Sequence, residues 1–201
     1  MKRLHRPDLY GWSLFNADRD IDFHSVVWVR AEGNVIVDPL PLSDHDWARL
    51  EDLGGVAVIV VTNSDHVRDA ADLAVETGAD VCGPREEADG FPMKCNRWLA
   101  DGDEVVPGLT VLELQGSKTP GELALLLEAS TLITGDLIRA HEGGKLCLLP
   151  DAKLTDRREA IASVQRLANL PDLEAVLPGD GWPVFRNARD VLGELLASLQ
   201  S

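Results

Sequence analysis

The sequence predicts an α/β (α+β) fold in which two β-sheets pack together and helices cover their outer faces. Three observations carry this. Strand-like and helix-like segments are mixed without the strict alternation of a doubly wound parallel sheet. Three β-rich runs, 109–115, 122–128 and 131–134, succeed one another with only turns between them. Two late segments, 155–168 and 188–199, place apolar residues at helical spacing.

In chain order, the runs 26–29 and 34–38 flank Ala31-Glu32-Gly33 and read as a hairpin. Ser43 is placed to cap a helix carrying Trp47, Leu50 and Leu53. The apolar run 56–61 reads as a buried strand entering Thr62-Asn63-Ser64. From Asp65 to about Thr77 the period changes, with Val67, Ala70, Ala71 and Ala74 at helical spacing, which predicts one helix. A short strand is expected at 80–82, and Asp101-Gly102 and Pro107-Gly108 mark turns around 104–106. Ala160, Ile161, Val164, Leu167 and Ala168 share a face of the next helix, 173–177 reads as a strand, and Ala188, Val191, Leu192, Leu195, Leu196 and Leu199 form the stripe of the last helix. A faint internal echo links NVIVDPLP and TLITGDLI, each an apolar strand running into an Asp.

The 201 residues suffice for one sizeable core, and a single domain spanning 1–201 is expected. The 34 acids against 19 bases give a formal charge of −15, which argues against nucleic acid as a partner. The opening MKRLHRPDLYGWSLF has no apolar stretch behind its basic residues, and no run is long enough to cross a bilayer. No membrane association and a cytoplasmic location are therefore expected. Cys82, Cys95 and Cys147 are odd in number and far apart, neither a disulfide framework nor a metal clip.

Several polar residues follow apolar strands: Asp65 and His66, then Lys118 in GSKTPG, Asp136 in ITGD and Asp180 in LPGDG. Loops at strand ends carry function when they gather at one rim. Taken singly, each has an ordinary explanation: a helix N-terminal carboxylate, a packed histidine, a solvated lysine, two turn aspartates beside glycine. His24 and His45 are lone histidines, and His141 is a minor candidate just beyond ITGD. No G-x-S-x-G elbow, G-x-G-x-x-G fingerprint or phosphate loop is present, and Cys82 has no base partner in sequence.

The order of the four motifs resembles the metallo-β-lactamase fold superfamily. Its H-x-H-x-D-H motif matches Val61-Thr62-Asn63-Ser64-Asp65-His66, its G-H-T-P-G loop matches Ser117-Lys118-Thr119-Pro120-Gly121, its T-G-D loop matches Thr134-Gly135-Asp136, and its G-H-G loop matches Gly179-Asp180-Gly181. The resemblance implies an αββα four-layer sandwich of two mixed β-sheets with the site at one edge. It also implies that the family's first metal site is lost, because Val61, Asn63 and Lys118 stand where its histidines would be. The second metal site would comprise Asp65, His66, Asp136 and Asp180, an oxygen-rich set suited to one divalent ion, Mn²⁺, Fe²⁺, Mg²⁺ or Zn²⁺.

Two functions follow from the resemblance. In the first, the protein is a hydrolase with at most one metal, cleaving an ester, lactone, thioester or phosphoester, with Lys118 stabilising the developing oxyanion and Asn63 orienting substrate. In the second, it is an inactive member that binds a small molecule or a partner, with no metal, and Lys118 supplies the missing positive charge. The first takes precedence because the residue at position 180 is an Asp, a residue type that still ligates. The segments 83–98 and 139–153 are expected to border the pocket.

Overall fold

A computed structural model describes residues 1–200. The chain opens with an antiparallel meander of β1 (Lys2–Arg3), β2 (Leu9–Asn16), β3 (Ile21–Trp28) and β4 (Val35–Val37). Helix α1 (Asp44–Asp52) leads to β5 (Val58–Val60), and α2 (Ala70–Thr77) leads to β6 (Asp80–Pro84), which is followed by β7 (Arg97–Leu99). Strands β4 to β7 run parallel, completing a seven-stranded mixed sheet in sequence order. The second sheet begins with β8 (Glu104–Val106), β9 (Leu109–Leu114), β10 (Glu122–Leu127) and β11 (Thr131–Thr134). The small hairpin β12 (Ile138–Glu142) and β13 (Lys145–Leu148) and helix α3 (Arg157–Ala168) intervene before β14 (Ala175–Pro178), which lies parallel to β11. Helix α4 (Ala188–Leu199) ends the fold. The five strands are ordered β14-β11-β10-β9-β8.

Three buried apolar layers make this an αββα sandwich. Between the sheets, Val26, Val35, Val37 and Val60 meet Val111, Leu123, Leu125 and Leu127. Outside the first sheet, Ile36, Ile59 and Val81 pack on Leu50 of α1 and on Ala70 and Leu73 of α2. Outside the second, Leu112, Ala124 and Leu132 pack on Val164 and Leu167 of α3 and on Leu192 and Leu195 of α4. Strand β10, ELALLL, is apolar without alternation after its first residue because both of its faces are covered.

Ser43 caps α1 by accepting from Asp46 N at 3.1 Å, and Asp156 caps α3 by accepting from Arg158 N and Glu159 N at 2.8 and 3.0 Å. The helix expected from Asp65 to Thr77 is broken. Ser64–His66 form a 3₁₀ turn, Arg68 takes a left-handed φ of 47°, and regular helix starts at Ala70. The apolar spacing was real, but hydrogen bonds made by Arg68 override it. Strands β1 and β2 and the hairpin β12–β13 were not read in the sequence; β2 exposes much of one end, including Leu14 and Phe15, so its apolar pattern is diluted. No helix among the described residues is long and apolar enough to cross a membrane.

Candidate functional site

The loops after β4, β5, β9, β11 and β14 converge at one edge of the sandwich. There they surround a cavity of about 400 Å³ lined in part by Asp65, His66, Lys118, Asp136 and Asp180. His66 is its buried centre, 4 % exposed. The 3₁₀ turn that presents it is capped by Asn63, whose Oδ1 accepts from Asp65 N at 3.0 Å. Gly179 passes close to the ring: a Cβ there would meet His66 Cε1 at 2.7 Å, so only glycine allows this approach.

Two aspartates flank the imidazole. Asp38 Oδ2 lies 2.8 Å from Nδ1, and Asp136 Oδ2 lies 3.5 Å from Nε2. Asp38 is fixed by further bonds from Thr62 N at 2.8 Å and Thr62 Oγ1 at 2.6 Å. Burial alone would disfavour the charged ring. Asp38 and Asp136 outweigh both burial and the nearby Arg68, and the His66 pKa rises to about 9. Burial would likewise raise the Asp136 carboxyl, but His66 and Lys118 hold it well below the usual carboxylate range.

Lys118 bridges two carboxylates, with Nζ 2.6 Å from Asp65 Oδ2 and 2.8 Å from Asp136 Oδ2. The contact to Asp136 is an ion pair by distance, although that oxygen has no donor in hydrogen-bond alignment. Burial pulls the Lys118 pKa down, but its two partners raise it overall, so the amine stays protonated. Behind it, fully buried Glu122 accepts from Ser117 Oγ at 2.5 Å and Leu137 N at 2.8 Å; burial, with Asp136 adding to it, pushes its pKa up to about 7.

Asp180 is held differently. The backbone of its turn is tied on two sides, with His24 N donating to the preceding Gly179 O at 2.8 Å and Ala140 N donating to Asp180 O at 3.1 Å. Its side chain pairs with the buried guanidinium of Arg139 through Oδ2 and with Arg68 at 3.4 Å through Oδ1. Arg68 also donates to His24 O at 2.6 Å, Asp38 O at 3.1 Å and Gly179 O at 3.2 Å. These bonds draw it into the site and account for the left-handed break after His66.

The sequence-predicted residues are thus unevenly gathered. His66, Asp136 and Asp180 each offer a ligand atom within 4.8 Å of the others. Asp65 lies on the rim, its side chain 57 % exposed and turned to Lys118. Asn63 is fully buried and does not line the cavity. The segments 83–98 and 139–153 do not line it either, contrary to expectation. Glu87 supports Ser64 N at 3.0 Å from one side and Arg139 reaches Asp180 from beneath, while the mouth is built by Asn16, Arg19 and Phe23 of the β2–β3 hairpin. His141 is exposed and does not line the cavity. Asp38, Arg68, Arg139 and the hairpin were missed. For Asp38 a signal existed: the echo of NVIVD and LITGD places its two aspartates on opposite nitrogens of His66.

The family model of the metallo-beta-lactamase superfamily matches residues 1–199. The chain belongs to the metallo-beta-lactamase superfamily. Among solved structures it resembles a metallo-beta-lactamase from Pontibacter korlensis, at 17 % identity and a TM-score of 0.75, over 98 % of this chain and 96 % of that one. It also resembles the metallo-beta-lactamase family protein TTHA1429 from Thermus thermophilus, at 19 % identity and a TM-score of 0.72, over 97 % of this chain and 80 % of that one. A third is TTHA1623 in a di-iron-bound form, at 22 % identity and a TM-score of 0.69, over 92 % and 98 % of the two chains. These identities make it a divergent member. No curated protein matches it.

Superfamily membership raises the question of a metal. The donor types of His66, Asp136 and Asp180 are suitable, but each donor already faces a cation or an acid partner. Asp38, Asp65, Asp136 and Asp180 are matched by His66, Lys118, Arg68 and Arg139. At ~4 Å and an effective dielectric of 20, unit charges interact by about 4 kcal/mol, so the cations already lodged among these carboxylates offset much of the attraction a divalent ion would feel. Entry would require displacing the part-exposed Lys118 from Asp136 or separating Arg139 from Asp180, and breaking the latter, buried pair costs about 3–5 kcal/mol. With these side chains in place, the site does not fit the metal that the superfamily implies.

Proposed function

We propose that this protein is a metal-independent member of the superfamily that binds a small molecule in the cavity at the sandwich edge. The observation that supports this is the charge match: four clustered carboxylates face four internal cations, with Lys118 standing among them as a tethered replacement for metal charge. The Asp at position 180, which first suggested a retained ligand, has a second use as counter-ion to Arg68 and the buried Arg139.

The test is metal content by mass spectrometry on untagged protein purified without chelator. The natural chain should carry only substoichiometric Mn, Fe or Zn, and Lys118→Ala, which frees Asp65 and Asp136, should gain affinity for added Zn²⁺ or Mn²⁺. About one equivalent in the natural chain, lost in Asp136→Ala, would overturn the reading. It would favour the second one, a one-metal hydrolase of an ester, lactone, thioester or phosphoester. The compact His66, Asp136 and Asp180 cluster and the unaligned Oδ2 of Asp136 speak for that alternative.

A further inference from the structure

We propose that the cavity takes a small organic anion, a carboxylate or phosphate on an apolar body, held at the mouth by Arg19 and Lys118. This rests on the reading of the cavity as a metal-independent ligand site.

The deeper charges are spent on one another. Lys118 serves Asp65 and Asp136, and Arg68 and Arg139 serve Asp180. Arg19 differs. It lines the same cavity, yet among the described residues its guanidinium has no carboxylate partner, and Asp18 and Asp20 on either side make no ion pair with it. It lies over an aromatic ring that it shares with Arg68. Its guanidinium lies 5.9 Å from the centroid of the Phe23 ring, and Arg68 lies 5.6 Å from the same centroid. With Phe23 as its nearest named contact, the guanidinium N–H groups of Arg19 have no acceptor among the described residues, and they form the fork that matches a carboxylate or phosphate.

Lys118 adds a second anchor. An ammonium has three N–H donors, two of which face Asp65 and Asp136, and the side chain is 23 % exposed. Between the anchors, Phe23 and Leu40 give the cavity an apolar wall. A volume of about 400 Å³ suits a ligand of metabolite size. On a protein with 34 acids and 19 bases, the group left unpaired at this mouth is a cation.

The experiment is an NMR amide-shift titration of the full chain with benzoate, phenyl phosphate, neutral benzamide and cationic benzylamine. It is run in chelator, then repeated with Zn²⁺. Benzoate and phenyl phosphate should bind in chelator, shifting amides around residues 16–23 and 118, with benzamide weaker by roughly tenfold or more. Arg19→Ala should weaken both anions by about the same factor, with an unchanged melting curve because the side chain is exposed, and Arg19→Lys should recover part of the loss. Equal binding of benzamide or benzylamine, or anion binding untouched by Arg19→Ala, would overturn the anion proposal and leave the ligand-site reading standing. Anion binding that appears only with Zn²⁺ would overturn the metal-independent reading instead. No shift near the cavity with any probe in either condition would overturn both.

Discussion

The inner and outer halves of the charge network use the same residue types to different ends. On the inner side, Asp38, His66, Asp180 and Arg139 are at most 7 % exposed, and their bonds tie the ends of β4 and β5 to the turn after β14 and to β12. On the outer side, Lys118, Asp65 and Arg19 meet solvent. A buried pair broken by removing one partner leaves an uncompensated charge with nowhere to go, while an exposed one is replaced by water. The inner charges therefore hold the site together, and the outer ones are free to exchange partners with a ligand.

The largest effect should come from breaking the inner half at Asp180. Asp180→Asn leaves Arg139 buried without its counter-ion and should destabilise the protein by about 3–5 kcal/mol in urea unfolding. Adding Arg139→Met should recover most of that loss, since both charges are then gone. A cost under about 1 kcal/mol for the single substitution would mean that the two halves do not differ.

The contrast also bears on what could be seen in the sequence. The two sheets, all four helical regions and the loops that meet at the site were legible, because β10 and α4 announce themselves by burial and period. The motif order located His66, Lys118, Asp136 and Asp180. The sequence suggested that Lys118 could offset the carboxylates; what it did not show was the pairing of the arginines. Arg68 sits two residues beyond His66 and Arg139 three beyond Asp136, but a lone arginine near a motif has no periodicity to mark where its long side chain ends. The two arginine partners of Asp180 come from β12 and from a left-handed turn, and neither direction is encoded in spacing.

The next effect is a pH dependence that reads the inner half without mutation. His66 has its pKa raised from an ordinary 6.5 to about 9, so its contribution is complete below pH 6.5 and is lost as pH rises to about 9. A shift of that size corresponds to about 3 kcal/mol. Glu122, raised from 4.5 to about 7, loses its share with the same sign over that earlier window. Asp136, held below its ordinary value, contributes above pH 3.8 and loses its share as pH falls. Unfolding free energy measured in chelator should therefore decline from about pH 5 to pH 9, and Asp38→Asn should flatten the upper limb and lower the His66 pKa seen by NMR. A profile that stays level between pH 6.5 and 9 would show that the imidazole is not held charged.

A smaller effect is expected where burial is partial. Lys118→Met removes the bridge between Asp65 and Asp136, and His66 remains to compensate Asp136. Stability should fall by about 1–2 kcal/mol, less than for Asp180→Asn, because His66 still faces the buried Asp136 and the other freed carboxylate, Asp65, is exposed.

The smallest change tests the outer half at its edge. Asp65 contacts Lys118 at 2.6 Å, but its side chain is 57 % exposed, so the short distance by itself says little about its energetic weight. Asp65→Asn should alter stability by less than about 1 kcal/mol, and the effect should shrink further in high salt, where exposed charges are screened. The same substitution frees one N–H of Lys118 and removes a negative charge from the cavity rim. Benzoate should therefore bind more tightly to Asp65→Asn than to the natural chain while the melting curve barely moves. An equal loss of stability and of binding would instead make Asp65 part of the inner framework, and the boundary between the two halves would have to be drawn outside Lys118.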